Sequence, residues 1–346
     1  MDVLVIYQFC SFGGVERAIL NRANTFKKYG QNVHLSIGYL HDHGALSSFQ
    51  AYIRAHQLDG RLSAFLITED TWPDLDQYDI VLNIDTPQVF ERTLSARNVF
   101  VECHTPYIEN RQYLKSLPQN IWGLIVPSEA FKSLVVSEFP NLPTIFVLPN
   151  PVSEEFFDIL ITPQARIYPK SPLAYLARLD ELKNFAETQL IFQLFTNDEK
   201  VMFAVVGNGA EEIPLVNDFI KKKILDKTFF RNQIGFDSVP TFVQMVKNHQ
   251  GIFISSSKGE SFGLSAAEFI SAGVPVLLSD IAPHKELVNG DERFIYPLGN
   301  ISAAREKILN ILKQWQDASQ VMETYGQKFK GNSFITAWQA IVDAKQ

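Results

Sequence analysis

Short apolar runs alternate with longer amphipathic segments along this chain, and that rhythm predicts its elements. Residues 3–7 form a compact, β-branched run suited to a strand buried on both faces. The break Ser11-Phe12-Gly13-Gly14 follows it. Val15, Ala18, Ile19, Ala23 and Phe26 then recur at helical spacing over residues 15–29, with Gly30 as the stop. Further strands are expected at 33–37, 80–83, 99–102, 123–126 and 144–148, with helical segments and loops between them. Pro149, Pro151, Pro163, Pro169 and Pro172 then crowd a stretch without sustained period, which marks a boundary between residues 150 and 172. A second series begins at Leu173, with strands expected at 173–176, 201–206, 251–255, 274–279 and 294–296. Its helices are expected at 184–195, 210–222, 239–247, 264–272 and 303–315.

Two series of βαβ rhythm imply an α/β fold of two doubly wound, Rossmann-like domains. The expected division is a domain over 1–155, a second over 165–325, and a final helix in 326–346 that crosses back to the first. At 346 residues the chain exceeds one comfortable core, which agrees with two. Sites in such sheets lie beyond the carboxyl ends of the strands, and with two domains the expected place is a cleft between them.

Composition narrows the function classes. Hydrophobic residues make up 46% and charged residues 20%, an ordinary globular balance. A net charge of -7 gives no bulk electrostatic case for nucleic-acid binding. Two cysteines, Cys10 and Cys103, form neither a disulfide framework nor a zinc site by themselves, and a reducing cytoplasm fits them. The start Met-Asp-Val-Leu-Val carries an acid where a signal peptide wants a base, and no apolar run has the length of a membrane span. A cytoplasmic protein is expected. Arg17, Arg22, Lys27 and Lys28 on the first helix form either a solvated face or a peripheral contact with an anionic membrane.

Candidate chemistry sits at the strand ends. Gly13 and Gly14 open the first helix, where a backbone without Cβ atoms and unpaired N–H groups suits a sugar or phosphate, or makes a plain turn. Arg178 and Lys183, in Ala-Arg-Leu-Asp-Glu-Leu-Lys-Asn, are suited to a departing diphosphate; the bland reading is two surface cations. Gly207-Asn208-Gly209 is a second turn allowing close backbone approach. Glu260 and Glu268 flank the start of a helix, with Phe262, Gly263 and Leu264 supplying amides between them. Glu268 is the one charge among Ala266, Ala267, Phe269 and Ile270, and a carboxylate there suits the vicinal diol of a ribose. The alternative makes Glu260 a first-turn helix charge and Glu268 a salt-bridge partner. His104, at a strand end before Pro106, is a ligand candidate or a structural histidine.

In this order the motifs resemble the retaining glycosyltransferases of family 4, with the GT-B fold. Gly13-Gly14-Val15-Glu16 is similar to that family's glycine loop, His104 to its histidine, and Pro127-Ser128-Glu129 to its Pro-Ser-Glu turn. Pro149-Asn150-Pro151-Val152 is similar to its hinge, Arg178 with Lys183-Asn184 to its diphosphate pair, and Val206-Gly207-Asn208-Gly209 to its glycine turn. Glu260 to Glu268 matches its glutamate pair, followed by Ala272-Gly273-Val274-Pro275 and then by Ser279-Asp280 and Glu286. The resemblance implies that Glu260 meets the donor sugar, Glu268 the ribose, Arg178 and Lys183 the diphosphate, and His104 a far sugar hydroxyl. Asn150, Gly207, Asn208, Phe262, Gly263 and Leu264 complete the implied donor site. It also implies a metal-independent enzyme with no cofactor, a UDP- or GDP-type nucleotide sugar as co-substrate, and a sugar, lipid-linked or small-molecule hydroxyl acceptor. Asp74-Leu75-Asp76 has the spacing of a metal motif but falls in an expected loop. Pro151 replaces the hinge glycine, Ser261 stands where glycine is commoner, and Pro283-His284-Lys285 replaces a glycine-rich approach to Glu286. Two alternatives stay open: an epimerase or phosphorylase of the same fold, and a non-catalytic nucleotide-sugar binder.

Overall fold

The computed structural model describes residues 1–11, 13–96, 98–162, 169–209, 212–222 and 224–344, without the side chain of Ile220. Phe12 of the first break, Pro163 of the proline stretch, Ala210 at the expected start of helix 210–222, and the last two residues of the expected terminal helix lie outside the described residues.

The chain divides into two compact units, one of residues 1–153 with 329–346 and one of residues 154–328. Unit 1 holds a seven-stranded sheet: β1 (Asp2–Cys10), β2 (His34–Asp42), β3 (Leu62–Leu66), β4 (Ile80–Ile84), β5 (Val99–Glu102), β6 (Gly123–Val126) and β7 (Ile145–Val147). Their order is β3-β2-β1-β4-β5-β6-β7, and every pairing is parallel. Helices α1 (Gly14–Lys28), α2 (Leu46–Ala55), α3 (Phe90–Thr93) and α4 (Glu129–Glu138) connect them. The inner strands are strongly apolar: Val3, Leu4, Val5 and Ile6 of β1 and Ile80 and Val81 of β4 have no exposed surface. Covered on both faces, they read as continuous apolar runs.

Unit 2 holds a six-stranded parallel sheet of β8 (Ser171–Leu176), β9 (Val201–Val206), β10 (Thr228–Arg231), β11 (Ile252–Ser255), β12 (Val276–Ser279) and β13 (Ile295–Tyr296). The order is β10-β9-β8-β11-β12-β13. Its helices are α5 (Phe185–Gln193), α6 (Glu212–Lys221), α7 (Val239–Asn248), α8 (Leu264–Ser271), α9 (Ala282–Leu287), α10 (Ile301–Lys313) and α11 (Trp315–Gly326). The last helix, α12 (Gly331–Ala344), is part of unit 1 and packs Phe334 and Trp338 at an angle against Phe26 of α1, with ring centroids 5.2 and 5.4 Å away.

Three departures from the expected elements have physical causes. β3 and β10 were not anticipated, because each is an edge strand with one neighbour and half-exposed positions, so neither needs an unbroken apolar run. The helix expected over 303–315 is two helices. Gln314 leaves helical geometry at φ -118° and ψ 37°, and Trp315 opens α11 with its indole N–H donating to the Gly251 carbonyl at 2.8 Å. Asp74 does not stand in a free loop but caps a single 3-10 turn, accepting the Asp76 N–H at 3.2 Å.

Candidate active site

In a parallel sheet all strand ends lie on one edge, and the order of unit 2 reverses between β8 and β11, where neighbouring loops diverge and leave a crevice. The loop after β8 carries Arg178 and Lys183, and the loop after β11 carries Glu260. They meet across that switch point: Lys183 Nζ donates to Glu260 Oε1 at 2.6 Å. Burial pushes the Glu260 carboxyl up, but the Lys183 ammonium, by its charge and its hydrogen bond, outweighs it and holds it below its ordinary value. Asp180 shapes the loop, accepting the Lys183 backbone N–H at 2.9 Å and pairing with Arg178 at 3.3 Å. Arg178 keeps 59% of its side chain exposed, so this ion pair contributes little to stability and leaves a guanidinium in solvent.

The loop after β9 supplies Gly207 and Asn208, and what approaches its backbone closely is the chain itself. A Cβ on Gly207 would collide with the Ala177 carbonyl, and one on Gly209 with the Leu179 carbonyl. Leu179 N–H donates to the Asn208 carbonyl at 2.8 Å. The glycines therefore let the Arg178 loop seat against this turn. The exposed Asn208 side chain donates to Gln233 at 3.2 Å.

Gly263 initiates α8 in the left-handed region, at φ +90°, a conformation that favours glycine. The first amides of the helix, from Leu264 on, have no carbonyl one turn earlier to bond. Phe262 is buried, and Glu268 lies inside α8 with 0% exposure. Below this helix start sits His284 of α9, which sequence reasoning noted only as a departure. It is 1% exposed, and burial depresses its pKa from 6.5 to about 4, so the ring is neutral at neutral pH. Asp180, Ser257, Ser279 and His284 were not among the expected site residues, and only the register of the strand ends signals them.

Unit 1 has its own switch point, between β1 and β4. Gly13 and Gly14 follow β1, but the Gly13 N–H is bonded at 2.6 Å by the carboxylate of Glu16, a buried acid in the first turn of α1. That donor serves the helix start, while Gly14 faces open space. After β5, His104 Nε2 lies 2.6 Å from Glu102 Oε1, and its backbone N–H donates to Asp85 Oδ2 at 3.0 Å. Glu102 also takes the Arg22 guanidinium as a fork, Nη1 to Oε2 at 3.0 Å and Nη2 to Oε1. Burial alone would raise the Glu102 carboxyl; Arg22 and then His104 hold it far below its ordinary value. An ionised Glu102 accepts from Nε2–H, so in the neutral ring Nδ1 is the acceptor. Arg22 is 2% exposed and so belongs to neither a solvated face nor a membrane contact. Asn150 is buried and accepts from Arg22 Nη2 at 3.2 Å.

The two Rossmann-like parallel-sheet units define the GT-B fold class. Residues 163–329, which carry the Lys183–Glu260 pair, match the family model of the glycosyl transferases group 1. Over 98 residues the chain is 30% identical to an O-antigen biosynthesis glycosyltransferase, WclY, of Escherichia coli; the stretch covers 28% of this chain and 26% of that protein. The fold is similar to that of TarM, with a TM-score of 0.76 at 13% identity over 99% of this chain and 98% of that one. It is also similar to that of Anabaena HepE in complex with UDP and glucose, with a TM-score of 0.75 at 16% identity over 99% and 98%. Among the described residues no group of three or more His, Cys, Asp or Glu is placed to hold a metal ion. No described helix is long and apolar enough to cross a membrane.

Proposed function

We propose that the chain is a retaining, metal-independent glycosyltransferase. It moves a sugar from a UDP- or GDP-type nucleotide sugar to a hydroxyl acceptor in saccharide, glycolipid or cell-surface glycan synthesis. The observation that carries this reading is the Lys183–Glu260 pair at the switch point of unit 2, inside the segment with the group 1 sequence pattern. The naming of WclY for O-antigen biosynthesis and the UDP and glucose bound to HepE support the same donor and product classes.

The bond that breaks joins the anomeric carbon to a phosphate oxygen, and its electron pair leaves with the diphosphate. Lys183 and the exposed guanidinium of Arg178 neutralise the charge that gathers there. Glu260, kept ionised by Lys183, accepts from sugar hydroxyls and holds the anomeric carbon in place. The acceptor oxygen bonds to that carbon on the face the diphosphate leaves, and its proton passes to the departing phosphate oxygen. Glu268 is assigned to the ribose and the start of α8 to hydroxyl or phosphate oxygens. His104, held through Nε2 by Glu102, presents Nδ1 to a sugar hydroxyl.

The test is transfer from UDP-glucose, UDP-N-acetylglucosamine or GDP-mannose to mono- and disaccharides and a polyprenyl-linked sugar, in excess EDTA. Product with the donor's anomeric configuration is expected, and Lys183→Ala should lose roughly two to three orders of magnitude in rate. Inverted product, an unimpaired Lys183→Ala, or transfer abolished by EDTA and restored by magnesium would each overturn part of the reading. Conversion of donor without any acceptor would point to an epimerase.

A further inference from the structure

His284 is a buried group that the reaction above does not use. Ser279 fixes its tautomer: the Ser279 hydroxyl donates to the Ser257 carbonyl at 2.6 Å, so its own proton is committed. His284 Nδ1 lies 2.9 Å from that hydroxyl oxygen and 3.1 Å from the Ser279 carbonyl. A carbonyl only accepts, so Nδ1 carries the ring proton and Nε2 is left with a bare lone pair. Among the described residues Nε2 has no hydrogen-bond partner, although it is buried. A buried acceptor left unmade costs stability, so such an atom calls for an explanation.

Its surroundings supply one. The charges that act most on the His284 ring are Glu260 and Lys183. The Cδ2 edge, next to Nε2, would lie 3.9 Å from a Cβ on Gly263, which has none. The unused acceptor therefore borders the sugar-binding carboxylate and the first turn of α8. Being neutral, it does not compete with Lys183 for the Glu260 carboxylate.

We propose that His284 Nε2 is a specificity group of the donor site, accepting a hydrogen bond from one hydroxyl of the transferred sugar. The inference rests on the nucleotide-sugar reading above. An incoming hydroxyl that parts Lys183 from Glu260 meets Nε2 as a further acceptor, and the sugar is gripped by three groups that follow three different strands, β8, β11 and β12. A glycine-rich loop at this place would offer backbone donors; His284 offers an acceptor, so it selects a donor such as a hydroxyl over a carbonyl or a carboxylate.

The experiment uses the full chain carrying ¹⁵N-histidine, with His284→Gln identifying the resonance. UDP-glucose, UDP-N-acetylglucosamine and GDP-mannose are titrated, each beside its free nucleoside diphosphate. The Nε2 resonance should show a bare nitrogen in the free protein. It should shift on saturation with one nucleotide sugar and stay in place with the matching diphosphate. By calorimetry, His284→Phe should lower the preference for nucleotide sugar over diphosphate about tenfold, and His284→Gln, which keeps an acceptor, should recover most of it. A nucleotide sugar that binds without moving Nε2 overturns the assignment of His284 and leaves the donor reading intact. If none of the three binds, the donor reading itself falls. Should His284→Phe fail to fold, the resonance of the unmutated protein still decides.

Discussion

Arg22 and Glu102 form a fully buried ion pair, and such pairs behave asymmetrically. Removing one partner strands the other charge in a poor solvent, at a cost of about 3–5 kcal/mol, whereas the intact pair contributes far less. Glu102→Gln should therefore destabilise the protein by about 3 kcal/mol in urea unfolding and also loosen His104, whose Nε2–H it receives. The acid side of the stability curve gives a second readout. The Glu102 carboxyl is depressed from its ordinary value of 4.5, so its contribution is present above that pH and is lost as pH falls toward the folded value. Glu102→Gln should flatten that part of the curve; an unchanged slope would mean that other carboxylates carry it. Grouping Arg22 with the exposed cations of the first helix misses its burial, although its spacing carries the signal. Arg22 lies four residues from both Ala18 and Phe26, on the apolar stripe of α1, and so on the buried face. Its partner was not legible, because residue 102 comes to residue 22 only through the order of the strands.

At the scale of elements, the inner strands of both sheets were legible, as were the edge strands β7 and β13, expected at 144–148 and 294–296; the edge strands β3 and β10 were not, because their half-exposed positions carry no unbroken apolar run. The glycines were recognised as points of close approach, yet at Gly207 and Gly209 the approaching group is the chain's own 177–179 backbone. Helix α8 poses the sharpest question at this scale, because Glu260 precedes it and Glu268 lies within it. Glu260→Gln should cut turnover strongly while leaving UDP or GDP affinity nearly unchanged, because its contacts tighten as the glycosidic bond breaks. A ribose reaches the fully buried Glu268 only if the side chains around it part. Glu268→Gln should weaken free nucleotide binding by about 1–3 kcal/mol, as for a charged hydrogen-bond partner. Calorimetry beside thermal unfolding distinguishes the cases. A lower melting temperature with unchanged nucleotide affinity would make Glu268 a core carboxylate and move the ribose elsewhere.

At the scale of the whole molecule, sequence order and unit membership part company at the C-terminus. Residues 329–346 follow directly on unit 2 in the chain but pack in unit 1. Val152 N–H donates to the Phe329 carbonyl at 3.0 Å, and Gly331 fits where a Cβ would lie 2.7 Å from Thr25. Phe334, Trp338 and Ile341 of α12 are all nearly fully buried. Three such side chains at roughly 1.5–3 kcal/mol each form a large fraction of a domain's net stability. Truncation after Lys328 exposes the apolar face of α1, including Phe26, and leaves every residue of unit 2 in the chain. Hydrogen exchange on the truncated chain should show lost protection in β1, β2, β4 and β5, with β8, β9, β11 and β12 still protected. Nucleotide binding by unit 2 should survive with it. Equal loss of protection in both sheets would mean that the two units unfold as one, and that α12 stabilises the whole chain rather than the sheet it covers.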